Sequence, residues 1–92
     1  MDSKKAIITV TSIDRVGIVA AVTTLLASLN INILDISQTI MEQIFTMTLL
    51  VDVGAANHPF EEINAELTEF GARENLSIRI QREDIFTAMH RI

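Results

Sequence analysis

The hydrophobic pattern of the chain changes its period within residues 11–19. Before this stretch the residues alternate as in a strand, and after it apolar residues recur three and four positions apart, as on one face of a helix. Ser12, Asp14 and Gly17 interrupt the two patterns, and these residue types favour a tight loop. The sequence therefore predicts a first strand, a loop that begins at Ser12, and a helix over residues 16–29.

The apolar face of this first helix is predicted to hold five aliphatic residues, and its opposite face contains only alanine and threonine. A solvated helix face usually carries charges, so an uncharged face is typical of close approach by another element. Helix propensity alone also places alanine on exposed faces, and both interpretations remain open. The predicted buried face consists of Ile18, Val22, Leu25, Leu26 and Leu29.

Period-two alternation returns in the middle of the chain. It predicts strands over residues 31–40 and 45–53, with residues 41–44 as the connection of a hairpin. No Asn-Gly pair marks the turn, so its type is not specified by the sequence.

The last third of the chain contains a second helix and a fourth strand. The second helix is predicted to start with Asn57 or His58 at its cap and Pro59 in its first turn. Alternation over residues 76–81 predicts the fourth strand. Residues 83–92 are predicted to form a short amphipathic helix, which is too short to persist without docking.

The predicted order is β, α, β, β, α, β, followed by the terminal helix. This order is typical of the α+β ferredoxin-like sandwich, in which two helices cover one face of a four-stranded antiparallel sheet. We expect a single domain over residues 1–92, with its core in residues 5–82 and a tail in residues 83–92. The helix-facing side is predicted to carry Ala6, Ile8, Val10, Leu34, Ile36, Ile40, Phe45, Met47, Leu49, Val51, Leu76, Ile78 and Ile80, and the outer side Ile7, Thr9, Thr11, Ile33, Asp35, Ser37, Thr39, Thr46, Thr48, Leu50, Ser77 and Arg79.

Composition excludes several classes of function. The net charge is −5 and the seven basic residues are scattered, which argues against a nucleic-acid partner. The absence of cysteine removes thiolate metal sites and thiol nucleophiles. No apolar run approaches the roughly 20 residues of a membrane helix, so we expect a cytoplasmic protein without a membrane partner. Apolar residues make up 49% of the chain, more than so small a core needs, which favours a second subunit.

Residues 13–19 resemble a known motif when they are combined with Asn32-Ile33, which begins fifteen residues after the glycine. They are similar to the ACT domain, a regulatory ligand-binding module of amino-acid metabolism with Asp-Arg-Pro-Gly at this turn and Val-Asn-Ile at the start of its second strand. Val16 stands in place of the usual proline. The resemblance covers residues 5–82, and the tail also resembles that of small stand-alone ACT proteins of bacteria and archaea.

The resemblance implies that dimers form by joining sheets edge to edge. It also implies that an amino acid or related metabolite binds between the loop after the first strand and the partner's second strand. Loop N–H groups can take a carboxylate, and Asp14 or the Asn32 amide oxygen can receive an ammonium group. The candidate ligand-binding residues are Ser12, Asp14, Arg15, Val16, Gly17, Asn32 and Ile33.

Structural explanations exist for the same residues. Gly17 is useful for any tight turn, Asp14 can cap the first helix, and Asn32 can bond to its own loop. Arg15 beside Gly17 is only a weak match to a phosphate cradle. His58 and His90 lack the neighbours that a metal site requires, and no catalytic set can be assembled.

Two functional hypotheses follow. The first is a non-enzymatic regulatory domain without a cofactor that senses an amino acid as a homo-oligomer, most simply a dimer. The second is an interaction module that binds a further copy or an unknown protein and takes no small ligand.

Overall fold

The computed structural model describes residues 4–13 and 17–82. The predicted ferredoxin-like order is confirmed there, whereas the predicted terminal helix falls in residues 83–92, outside the described residues. The elements are β1 (Lys5–Ser12), α1 (Ile18–Ser28), β2 (Asn32–Met41), β3 (Ile44–Asp52), α2 (Phe60–Glu74) and β4 (Ser77–Arg82). The four strands form one antiparallel sheet in the spatial order β2-β3-β1-β4, which makes β2 and β4 the two edge strands.

One hydrophobic core lies between the helices and one face of the sheet. Every second residue of β1 and β3 is buried, as the alternation predicted, and each helix contributes residues three and four positions apart. Complete burial of one such side chain contributes roughly 1.5–3 kcal/mol, so this face fixes the register of the two central strands. The core includes Ala6, Ile8, Val10, Phe45, Met47, Leu49 and Val51 from the strands, with Ile18, Val22, Leu26, Ile63, Leu67 and Phe70 from the helices.

A β-bulge in β2 corrects the predicted faces of this strand. Ile33 pairs with Val51 and Asp35 pairs with Leu50, so Leu34 is an extra residue between them. Because Val51 belongs to the core, Ile33 faces the helices and packs against the core. The predicted placement of Ile33 on the outer side is therefore wrong. Leu34, predicted on the inner side, has no partner in β3 and is 44% exposed.

The start of α2 also differs from its prediction. Pro59 occupies the N-cap position itself, and no side-chain hydrogen bond caps the helix. Asn57 instead ties the end of α1: its backbone N–H donates to the Leu29 carbonyl at 3.0 Å and its side-chain amide to the Ser28 carbonyl at 3.1 Å. Asn57 thus satisfies carbonyls that the end of α1 leaves without helical partners.

Candidate functional site

The connection between β1 and α1 comprises residues 13–17, and we call it the first loop. Gly17 is the N-cap residue of α1 and has a φ of +77°, a conformation that residues with a side chain rarely adopt. Among the described residues, no heavy atom would lie within 4 Å of a Cβ atom at this position. The backbone therefore favours glycine here, and the described residues leave the space beside it open. The helix starts at Ile18, two residues later than predicted, with Gly17 rather than Asp14 at its N-cap.

The two helices differ in the charge at their N-termini. The first turn of α2 contains Glu61 and Glu62, which complement the positive end of the helix dipole. The described first turn of α1 contains no acidic residue, and no described side chain caps it. In the described part of the chain, the amide groups that begin α1 thus have no anionic partner.

Ser12 and Asn32 lie at opposite ends of the sheet. Ser12 pairs with Phe45 near the hairpin, whereas Asn32 pairs with Asp52, which also pairs with Lys5 at the start of β1. Seven residue steps separate Lys5 from Ser12, or roughly 23 Å at the rise of a strand. A single chain therefore does not bring Asn32 next to the first loop.

The other residues predicted to bind the ligand fall into two groups: some are buried or partly buried, and some lie outside the residues that the structure describes. Ile33 is partly buried, and its inward side chain packs against the core. Asp14, Arg15 and Val16 lie outside the described residues. Ser12 is buried, with 9% of its surface exposed.

A cleft that the sequence did not predict opens beside Ile13, at the end of β1. Its volume is about 390 Å³, and it lies between the end of β1 and the connection from α2 to β4. No lining residue carries a formal charge. The lining consists of Thr11, Ser12, Ile13, Ile44, Gly71, Ala72, Asn75, Leu76 and Ser77. Three separate segments build this cleft, so no local motif in the sequence reveals it.

Five large apolar side chains are exposed on β2 and at its hairpin to β3, and we call them the edge patch. They represent most of the exposed large apolar residues of the described chain, Ile13 being the other. A soluble monomer rarely exposes so many large apolar residues in one region, and such patches mark interaction surfaces. The edge patch comprises Leu34, Ile36, Ile40, Met41 and Ile44.

Two titratable side chains, those of His58 and Glu62, are in contact with each other. His58 Nδ1 lies 3.0 Å from Glu62 Oε1, and both side chains are exposed. Exposed pairs of this kind contribute little to stability. No group of three potential metal ligands occurs among the residues that the structure describes. No helix in residues 4–13 and 17–82 is long and apolar enough to cross a membrane.

The order of the elements and the four-stranded antiparallel sheet define a small α+β domain of the ferredoxin-like type. The family model of the ACT domain matches residues 4–81. The chain belongs to the ACT domain family, a family of regulatory ligand-binding domains.

Similar proteins occur in both bacteria and archaea. A UPF0237 protein of Clostridium acetobutylicum is 50% identical over 88 residues, which are 96% of this chain and 99% of that protein. A UPF0237 protein of Methanosarcina acetivorans is 46% identical over the full length of both chains. The structure of an ACT domain protein from Streptococcus pneumoniae superimposes with a TM-score of 0.83 at 41% identity, covering 92% of this chain and 96% of that one.

Proposed function

We propose that this chain is a regulatory domain that senses an amino acid or a related metabolite at an interface between two copies. The observation that carries the proposal is the open space beside Gly17 at the start of α1, where the described residues provide neither a side-chain cap nor an acidic group. Helix N-termini with free amide groups bind anions such as carboxylates. The ligand carboxylate would supply the charge that Glu61 and Glu62 supply at α2.

The second contact of the ligand requires a partner. Asn32 lies at the far end of its own sheet, but antiparallel pairing of β2 with β2 of a second copy would reverse that relation. The start of the partner's β2 would then lie at the hairpin end of the sheet, the end at which the first loop leaves β1. An amide oxygen there can accept a hydrogen bond from the ligand's ammonium group, with Asp14 as a further acceptor.

Three features support this pairing. β2 is an edge strand whose outward backbone groups have no strand partner among the described residues. The edge patch lies on this strand and its hairpin. α1 carries no charged residue, and its exposed positions include the small residues Ala20, Thr24 and Ala27, which permit close approach of a second helix. Burial of these surfaces between two copies would provide a driving force for association.

Ligand binding would regulate through assembly. A ligand that binds only the assembled form stabilises that form by about 2.7 kcal/mol at a hundredfold excess over its dissociation constant. This free energy changes an association constant by about a hundredfold. Such a change is sufficient to shift the equilibrium between single chains and the oligomer, or between free chains and a complex with a partner protein.

The test combines sedimentation velocity with a thermal-shift screen of the purified chain against each common amino acid. We expect a dimer at micromolar concentration and a rise in melting temperature with at least one amino acid. Asn32→Ala should lower the affinity for that amino acid at least tenfold, whereas Asn64→Ala, at an exposed position of α2, should leave the affinity unchanged. A monomeric wild-type chain, or equal ligand affinity in the two variants, would contradict the proposal.

The edge patch also favours a second function, an interaction module that takes no small ligand. This function predicts assembly without any thermal shift from amino acids. The same screen therefore separates the two functions.

A further inference from the structure

We infer that the cleft beside the first loop receives the side chain of the bound amino acid and restricts the ligand to uncharged side chains. This inference rests on the proposed function and adds the chemical class of the ligand. It also assigns selectivity to one subunit, because all nine lining residues belong to the same chain.

The position of the cleft connects it to the proposed binding site. Ser12, a candidate ligand residue at the end of β1, lines the cleft, and Ile13 continues from it into the first loop. A ligand whose charged groups are held at the first loop could thus extend its side chain into the cleft. The volume of about 390 Å³ lies within the range of roughly 300–1,000 Å³ that is usual for small-molecule sites.

The chemistry of the lining defines the ligand class. Ile13, Ile44 and Leu76 offer aliphatic surface, and the first two are largely exposed, at 78% and 51%. Covering them removes apolar area from water, at about 25 cal/mol for each Å². Thr11, Asn75 and Ser77 add neutral hydrogen-bonding groups.

A charged side chain would find no opposite charge in this open lining. Aliphatic and hydroxyl groups, in contrast, find apolar surface and neutral hydrogen-bonding partners there. The favoured ligands are therefore aliphatic or hydroxyl-bearing amino acids, and acidic and basic amino acids are disfavoured.

The wall of the cleft at the end of α2 is held in place by close packing. A Cβ atom on Gly71 would lie 2.8 Å from Ile78 Cγ2 and 2.9 Å from the Leu76 carbonyl oxygen, so the last turn of α2 sits directly on the chain entering β4. The Leu76 N–H donates to the Gly71 carbonyl at 2.9 Å, and Asn75 between them has a φ of +63°. This wall is thus formed before any ligand arrives, as in most small-molecule sites.

The experiment measures affinities of the full chain for L-leucine, L-isoleucine, L-threonine, L-aspartate and L-lysine by calorimetry. We expect at least one of the first three to bind ten times or more as tightly as aspartate and lysine. Ala72→Leu, which places a larger aliphatic group in the cleft, should lower the affinity for that ligand at least tenfold. Ala65→Leu is the matched control, since Ala65 is exposed on the same helix two turns earlier and outside the cleft, and it should bind like the wild type.

A second variant tests the cleft without adding bulk, so that the inference can still be tested if Ala72→Leu does not fold. Ser77→Asp places a carboxylate on the rim of the cleft without filling it, and it should weaken leucine while raising the affinity for lysine relative to leucine. Melting temperatures of the ligand-free variants show whether each one is folded.

The possible outcomes separate this inference from the proposed function. Wild-type affinity in both Ala72→Leu and Ser77→Asp, together with a loss in Asn32→Ala, would overturn the cleft inference and leave the proposed function intact. Equal binding of charged and uncharged amino acids would also overturn it. Failure of the wild-type chain to bind any amino acid would overturn both.

Discussion

The two edges of the sheet are built in opposite ways. β4 is six residues long, contains Arg79 and Arg82, and lies beside the last turn of α2. β2 is ten residues long, contains Asp35 as its single charged residue, and exposes three large apolar side chains between Leu34 and Ile40. Folded proteins protect exposed edges with short strands, charges and covering elements. β4 is short and charged, whereas β2 is long, carries one charge and is available for pairing.

The difference indicates a division of roles across the sheet. In the proposed dimer the β2 edge would provide the surface for association. The cleft lies mainly between the end of β1 and the connection from α2 to β4, and it shares Ile44 with the edge patch. The bulge at Leu34 interrupts the regular pairing near the start of β2, so residues 36–41 form the regular part of the available edge.

The largest expected effect comes from placing a charge on the available edge. Ile36→Lys should raise the dissociation constant of the proposed dimer at least ~100-fold, or about 2.7 kcal/mol, because it places a charge in the apolar edge patch that the pairing would cover. Sedimentation velocity over a concentration series measures the change. Gln81→Lys on β4 is the matched control and should leave the dimer intact. If both variants dissociate alike, the two edges are equivalent and the comparison fails.

A smaller effect concerns the helix that covers the protected edge. Gly71→Ala should lower the free energy of unfolding by roughly 1–3 kcal/mol, because the new Cβ overlaps with a backbone carbonyl and the Ile78 side chain. Gly54→Ala is the comparison. Its Cβ would lie 3.1 Å from Asp52 Oδ1, which accepts the Gly54 N–H, and no closer than 3.9 Å to Lys4. We expect a loss of less than ~1 kcal/mol. Urea denaturation measures both. Equal stabilities would show that α2 does not pack tightly at this edge.

The smallest effect is expected in the hairpin that ends the available edge. Glu42 has a φ of +57°, a conformation that costs a non-glycine residue roughly 1–2 kcal/mol. Glu42→Gly should relieve this cost and, after the entropy that glycine loses on folding, stabilise the chain by about 0.5 kcal/mol. Glu66→Gly, in the middle of α2, should instead destabilise it, by about 1 kcal/mol. Thermal unfolding of the two variants would contradict this interpretation if both change stability in the same direction.

Most of the fold could be predicted because the spacing of apolar residues along the sequence agrees with the pattern of buried side chains in the structure. In β1 and β3 the alternating apolar residues are those of the core. In the first helix, four of the five residues predicted to be buried belong to the core, and the fifth, Leu25, is partly buried against it. The prediction was wrong in β2 because the adjacent apolar residues Ile33 and Leu34 break the alternation, and pairing with β3 decides which of them is the extra residue. Asn57 was misassigned because its partners, Ser28 and Leu29, lie far away in the sequence.

The candidate site was less predictable than the fold. Gly17 was recognised from its residue type, and its positive φ gives the physical reason. The cleft depends on three segments that only the tertiary structure brings together, so neither Asn75 nor Ser77 carried a local signal. The separation of Ser12 from Asn32 follows from strand direction, and the sequence motif alone contains no information about which subunit supplies each residue.

The bulge at Leu34 changes which residues of β2 face the helices, from odd-numbered to even-numbered positions. Before it, the odd-numbered Ile33 faces the helices, and after it, the even-numbered Ile36 and Ile40 lie opposite the core residues Leu49 and Phe45. Removing Leu34 would leave every later pair with β3 unchanged, because this residue has no partner of its own. Removing one residue from the uninterrupted β3 would turn half of that strand over and expose its buried side. The available edge is therefore the strand in which the chain length can vary by one residue without reversing its faces.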